Sequence, residues 1–511
     1  MDLFRTKSVE QSIRDTEDPR HRLRRSLGAL DLTIFGVGVI IGTGIFVLTG
    51  RVARENAGPA VALSFVIAAV VCGLAALCYA EFASTLPVAG SAYTFSYATL
   101  GEFPAWIIGW DLMLELTLAS AVVAVGWSGY AVSLLETIGL RLPPAIAGET
   151  GVVNVPAVLV VLLLTAVLVA GIRLSARVNL IMVIIKVSVI LLVIIAGLSF
   201  VDTANYDPFI PPAESTPGVQ GASAPLIQVL FGVQPVAFGV FGIFSAAAIV
   251  FFAYIGFDVV ATAAEETRNP GRDLPIGILG SLGLCTLLYV AVSLVIVGMQ
   301  PYDELSEAAP LADAFRAVGA PWIASLISIG VIAGLTTVIL ILMLGQSRVF
   351  FAMSRDNLLP PALAEVHPRF RTPYRVTIII GVMTAVLAGL IPLSALAELV
   401  NIGTLFAFVV VSAGVVVLRR TRPDLHRAFR VPWVPVIPVL SVLSCVYLML
   451  NLPVETWLRF FAWMAIGIVL YWLYGSRRSR VGRAGASPAR HPSGPAAEAS
   501  PGPAPEPPVI Q

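Results

Sequence analysis

Charge is scarce in this sequence, and lysine is scarcer still. Only 12% of the 511 residues are charged, and of the 32 basic residues all but two, Lys7 and Lys186, are arginine. With 57% hydrophobic residues and a mean hydropathy of +0.89, the chain is too apolar for a water-soluble protein of this length and belongs in a membrane. A net charge of +1 leaves no electrostatic footprint for nucleic acid, so no nucleic-acid partner is expected. The four cysteines, Cys72, Cys78, Cys285 and Cys445, lie inside apolar stretches without metal-ligand spacing and read as packing residues; no metal site is expected. The four histidines, His21, His367, His426 and His491, fall in polar segments, and no Ser/His/Asp arrangement, HExxH or Walker motif occurs. Enzymatic activity, a bound cofactor and ATP-driven pumping are therefore not expected.

Long apolar runs are abundant. A helix crossing the ~30 Å hydrocarbon core needs ~20 apolar residues. About a dozen stretches meet this, near residues 30–51, 60–84, 104–136, 154–172, 178–199, 237–264, 275–299, 320–352, 375–396, 398–418, 433–451 and 455–474. The ~10-residue alternating segments of a membrane β-barrel are absent, so the predicted fold class is an all-α polytopic membrane protein of about twelve spans. Residues 1–26 are polar and charged and show no cleavable signal, which predicts an N-terminus in the cytoplasm. With that orientation 26 of the 32 basic residues fall inside, five outside and one in the membrane, as the positive-inside rule requires. The expected location is the plasma membrane, the inner membrane in a bacterium, with both termini cytoplasmic.

Two spans are interrupted in the middle. The first reads "FGVGVIIGTGIFVLTG" (35–50), with five glycines; the sixth reads "FFAYIGFDVV" (251–260), where Gly256 and Asp258 break the run. A pair of Gly-interrupted segments at matching positions of two halves is the sequence pointer to a substrate site in inverted-repeat transporters. Gly38 and Gly42 also form a GxxxG spacing, which suits close helix packing. The predicted organisation is a cytoplasmic segment 1–28, a ten-helix transport core 29–420 made of repeats 29–200 and 237–420, helices 11 and 12 over 421–475, and a Pro-rich disordered tail 476–511. The outer segment 201–236 is long enough to need a short helix or ordered cap of its own.

At membrane depth the backbone groups freed by a break must face a polar cavity or a ligand. The start of a half helix suits a carboxylate, and freed carbonyls suit an ammonium group. An α-amino acid carries both. Gly42, Thr43 and Gly44 are assigned to the carboxylate, with the Thr43 hydroxyl as a donor; the carbonyls near Ile40, Ile41, Phe252, Ala253 and Ile255, around Gly256, are assigned to the amine. Tyr254 and Phe252 are candidate gates or ordinary core aromatics.

Lys186 sits in "VIIKVSVILL" (183–192), eight residues into its span, about 12 Å deep at 1.5 Å per residue. A charge at such depth marks a functional site, and lysine, unlike arginine, can release its proton there. Candidate partners are carbonyls of the broken first span and the hydroxyls of Thr336 and Thr337. Glu115, one turn beyond Asp111 on the same helix face, either borders the pocket or bonds structurally.

The stretches "GVIIGTGIFVLTG", "YAEFASTLPVAGSAYTFSYATLGEFPAWIIGW", "FFAYIGFDVVATAAEETRNPGRDLPIGI" and "GQSRVFFAMSRDNLLPPALAEVHPRFRTPY" resemble the amino acid, polyamine and organocation superfamily, in its bacterial cationic amino acid transporter branch, over roughly residues 27–475. The resemblance implies a five-plus-five inverted repeat of the leucine-transporter type with helices 1 and 6 unwound, plus two extra helices. It also implies that Lys186 matches a span-5 lysine whose ammonium takes the place of a sodium ion in sodium-coupled relatives. The expected function is proton-coupled L-amino acid symport by alternating access. An exchanger, a facilitative permease and, more remotely, a non-transporting amino acid sensor are the alternatives. Where family members often carry tyrosine after the span-3 glutamate, Leu116 and Thr117 follow Glu115, so the accepted side chain stays open. A small single-span membrane partner is also left open.

Overall fold

The computed structural model describes residues 26–479 apart from 87, 89–90, 148–150, 172–175, 217–218, 220, 366 and 371. Most of the expected N-terminal segment and the tail beyond Ser479 lie outside the described residues. Helices dominate, because a chain this apolar satisfies its backbone in lipid through local hydrogen bonds. In order they are α1 (Ala29–Ile40), α2 (Thr49–Val52), α3 (Val61–Thr85), α4 (Ser91–Thr99), α5 (Glu102–Thr137), α6 (Val155–Val169), α7 (Ala176–Gly197), α8 (Leu226–Leu230) and α9 (Gly239–Val250). Then follow α10 (Phe257–Ala261), α11 (Pro270–Met299), α12 (Pro310–Ala317), α13 (Pro321–Arg355), α14 (Tyr374–Leu390), α15 (Leu393–Thr421), α16 (Val436–Leu450) and α17 (Val454–Leu470).

Eight helical runs among the described residues are long and apolar enough to cross a membrane, and four shorter apolar helices, α1, α6, α14 and α16, bring the set to the predicted dozen. Several boundaries shift by a few residues, and one shift has a clear cause. The ninth apolar stretch was expected to run to residue 396, but α14 stops at Leu390 and α15 starts at Leu393. Pro392 is the reason: it pushes Ile391 into an extended conformation (φ −110°, ψ 132°), which no helix continues through.

The sequence also sets several helix starts. Proline occupies the first position of α11, α12 and α13, where its missing N–H costs no helical bond. Asn154 caps α6 by accepting the Ala157 N–H at 3.2 Å, and the Ser128 hydroxyl donates to the same oxygen at 2.6 Å. The segment 201–236 is an ordered cap. It carries α8 and a two-residue antiparallel ribbon of β1 (Glu214–Ser215) with β2 (Val236–Ala237). Asn205 and the Tyr206 hydroxyl fasten it to the end of α11, donating to Gly298 O and Leu294 O, each at 2.8 Å.

The long helix α5 packs along α13 and α15, and α11 packs on α1 and α3. Close crossings use small residues, as expected where lipid removes the hydrophobic drive between helices. A Cβ on Gly36 would lie 2.5 Å from the Ser281 hydroxyl, and one on Gly277 would lie 2.6 Å from Leu32 Cβ.

A buried ionic anchor closes the end of the bundle where α3 and α15 finish. Glu81, 2% exposed, accepts two bonds from Arg419, at 2.9 and 2.6 Å, and one from the Val431 N–H at 2.7 Å. Arg427 adds a contact at 3.4 Å. Removing one partner of such a group strands the others without compensation, at a cost on the order of 3 kcal/mol. Glu81→Ala is expected to lower the melting temperature of the detergent-solubilised protein by several degrees, and an unchanged melting curve would show that the anchor carries no stability.

Candidate functional site

The two interruptions face each other. α1 ends at Ile40, Ile41 turns extended (φ −71°, ψ 99°), and the chain re-enters helix as a π-helical turn, Gly44–Leu48. In the second interruption α9 ends at Val250, a 3-10 turn covers Phe251–Tyr254, Ile255 is extended, and Gly256 takes φ +123° before α10 begins. Only glycine adopts that φ without strain. The backbones touch at two points. A Cβ on Gly44 would lie 2.3 Å from Ala253 Cα, and one on Gly256 would lie 2.7 Å from Val39 Cγ1 and 3.3 Å from Ile40 N. Gly42 differs, since its added Cβ would meet Val338 at an ordinary 3.7 Å.

Breaking a helix frees carbonyls that lost their partner four residues on. Intact helices supply replacements. In an unbroken helix the Gly38 carbonyl would accept from Gly42, and the Ile40 carbonyl from Gly44. Here Lys186 of α7 donates to Gly38 O at 2.5 Å, and the Tyr289 hydroxyl of α11 donates to Ile40 O at 2.8 Å. Beyond the break, the Tyr130 hydroxyl of α5 donates to Phe46 O at 2.6 Å. At the second break, Asn401 of α15 donates to Ala248 O at 2.8 Å and Ile249 O at 3.0 Å.

Lys186 is 1% exposed, and its stem lies along Gly334 of α13, where an added Cβ would come within 2.8 Å of Lys186 Cγ. The residue therefore joins α7, α13 and the first break. Among the described residues no hydrogen bond joins Lys186 to Thr336 or Thr337, the partners expected for it. The Thr336 hydroxyl accepts from Trp127 Nε1 at 3.0 Å and donates to Ile332 O at 2.8 Å; the Thr337 hydroxyl donates to Gly334 O at 2.7 Å, satisfying its own helix. Gly334, which makes room for the lysine, escaped sequence reasoning although it stands two residues before them.

Thr43, fully buried, has a hydroxyl with no hydrogen-bond partner among the described residues, and its side chain lies against Gly126 of α5. Ile40, one of the carbonyls assigned to an amine, is occupied by Tyr289. Phe252, Ala253 and Ile255 are 6%, 1% and 7% exposed and form the rim of the second break. Tyr254 is committed to packing: its hydroxyl donates to Phe65 O at 3.0 Å and its ring meets Phe65 and Tyr289. It acts as a strut in this arrangement. Asp258 accepts the Gly256 N–H at 3.2 Å and holds the turn into α10. Glu115 stands away from Thr43, eleven residues from Gly126 along α5, about 16 Å at helical rise.

The sequence profile of a family described as amino acid permease matches residues 27–473. The chain is 48% identical to the branched-chain amino acid permease BcaP of Bacillus subtilis, covering 94% of this chain and 99% of that protein. It is 45% identical to the methylthioribose transporter of the same organism, covering 93% and 98%. To the vacuolar cationic amino acid transporter 4 of Arabidopsis thaliana it is 39% identical over 83% of this chain and 68% of that one.

The contrast between the two glycines is testable. Gly44→Ala forces a carbon into the Ala253 backbone and is expected to lower thermal stability sharply, whereas Gly42→Ala fits and is expected to melt close to wild type. Equal melting temperatures for both variants would contradict the close approach of the two breaks.

Proposed function

Because the chain belongs to the amino acid permease family, a family of transporters rather than enzymes, we propose that it is a secondary active transporter that moves an L-amino acid inward together with a proton. The observation that carries this reading is the buried Lys186 ammonium on the carbonyl freed by the first break. Protonated, Lys186 holds α7 and α13 to α1; deprotonated, it loses the charge that strengthens its bond to Gly38 and releases the broken helix. A substrate that binds one of these two arrangements better shifts the balance between outward- and inward-open states.

The substrate carboxylate is assigned to Gly42, Thr43 and Gly44, where the unpartnered Thr43 hydroxyl supplies a donor. The ammonium is assigned to carbonyls of Ile41 and of the Phe252–Gly256 turn. Val338 and Gly126 flank this place and carry no charge. The residues against Thr43 are uncharged, and Glu115 lies about 16 Å along α5 from Gly126, so a neutral, aliphatic amino acid is the assigned substrate. The name of the B. subtilis branched-chain permease agrees with that choice.

Residues 29–420 act as the transport core, with repeats 29–200 and 237–420 and with α16 and α17 outside them. The packing of α3 on α11, α5 on α13 and α6 on α14, each pair five spans apart, supports the repeat. The Lys/Arg distribution supports cytoplasmic termini in a cell membrane.

The test is uptake of radiolabelled amino acids, with leucine as the first substrate, into proteoliposomes with and without an inward proton gradient. Wild type is expected to accumulate substrate above equilibrium only with the gradient, and Lys186→Ala is expected to fall to the no-gradient level. The same gradient dependence in Lys186→Ala would overturn the role of the lysine. Gradient-independent uptake by wild type, stimulated by internal substrate, would make the protein an exchanger.

A further inference from the structure

Three buried acids meet near the start of α10, and of these only Asp258, which holds the Gly256 turn, belongs to the site described above. Asp111 and Glu115 lie one turn apart on α5, 0% and 1% exposed, and all four of their carboxyl oxygens lack a hydrogen-bond partner among the described residues. Asp258, 4% exposed, approaches from α10 within electrostatic reach of Glu115. On the α15 side Gly403 leaves room for Asp111, since an added Cβ there would sit 2.8 Å from Asp111 Oδ1, and the Thr404 hydroxyl, which donates to Val400 O at 3.1 Å, lies within hydrogen-bonding reach of Glu115.

From α3 comes Tyr79. It is 1% exposed, packed edge-on against Phe257 and Phe408, and its hydroxyl is likewise buried without a partner, within electrostatic reach of all three carboxyls. The thiols of Cys72 and Cys445 are the other titratable groups at this place, coupled to Asp258 and Tyr79 respectively. No described ion pair involves any of the three acids, and Lys186 is committed to Gly38. Two ionised carboxylates cannot be kept dry, adjacent and uncompensated; each takes up a proton instead.

We propose that Asp111 and Glu115 form a second proton-binding site, separate from Lys186, that must be loaded for the end of the bundle between the two helix breaks and Glu102 to close. In the closed arrangement seen here both carboxyls carry their protons. When α10 moves away and water enters, the O–H bonds release those protons to solvent and leave carboxylates, which α3, α10 and α15 cannot enclose again until protons return. The closed form binds more protons than the open one, so acid favours closure and alkali favours the open form. This rests on the transporter reading and on its orientation, which turn the Glu102 end toward the cytoplasm.

Two measurements test it separately. Infrared spectra of the reconstituted protein at neutral pH are expected to show a protonated-carboxyl band that shrinks in Glu115→Gln and shrinks further in Asp111→Asn/Glu115→Gln; an identical band in all three proteins would overturn the proposal. Glu115→Gln is nearly isosteric and serves alone if the double variant fails to fold. With equal pH on both sides of the membrane, wild-type uptake down a leucine gradient is expected to fall as that common pH is raised, by up to about tenfold per pH unit for each proton that closure binds. Glu115→Gln should flatten that dependence, and an unchanged slope would overturn the coupling to closure. Uptake that ignores proton gradients in every protein would count against the transport reading, while the infrared band still decides the protonated pair.

Discussion

A helix interrupted at membrane depth survives only when its freed backbone groups find partners, because hydrocarbon offers none. That constraint organises this structure. Lys186, Tyr289, Tyr130 and Asn401 each reach from an unbroken helix to a carbonyl at or beside a break. Each bond therefore does two things: it satisfies a buried acceptor, and it fixes a broken helix to the surrounding scaffold. Losing the Lys186 or the Tyr289 bond leaves a carbonyl of the first break unpaired in a dry interior, which typically costs ~1–3 kcal/mol.

The four caps are chemically unequal. A phenol or an amide keeps its charge state at physiological pH, so Tyr289, Tyr130 and Asn401 are permanent fasteners. Lys186 alone among them is of a residue type that can lose its charge, and it stands at the joint of α1, α7 and α13. Glycine supplies the geometry that makes the joint small. Gly334 admits the lysine stem, Gly44 admits the Ala253 backbone, and Gly256 supplies a left-handed turn beside Val39. The unpartnered acids of α5 add a second place where closure and protonation are tied together, on the far side of the breaks.

Much of this is legible before any coordinates. The twelve apolar stretches follow from span length and composition, and the two breaks follow from glycines clustered where a helix needs none. Lys186 stands out because it is alone. The cap donors are harder to see: Tyr130 and Tyr289 read as core aromatics, since nothing local distinguishes a ring that packs from a ring whose hydroxyl closes a distant backbone gap. For the same reason the sequence does not show that the Thr336 and Thr337 hydroxyls donate within their own helix, or that Tyr254 braces α3. Gly334 carries no local signal, because its role is defined only by the side chain that crosses it. The end of α14 was misplaced because hydropathy continues past Ile391 while Pro392 forbids the helix from doing so.

The central claim is that amino acid movement and proton movement share one cycle. Its most direct measurement uses wild-type protein in vesicles that hold a pH-sensitive dye, with equal pH on both sides and the membrane potential clamped at zero. Adding leucine outside is predicted to acidify the interior as labelled leucine enters, in a fixed ratio of protons to substrate. Leucine entry with no acidification at all would contradict the account.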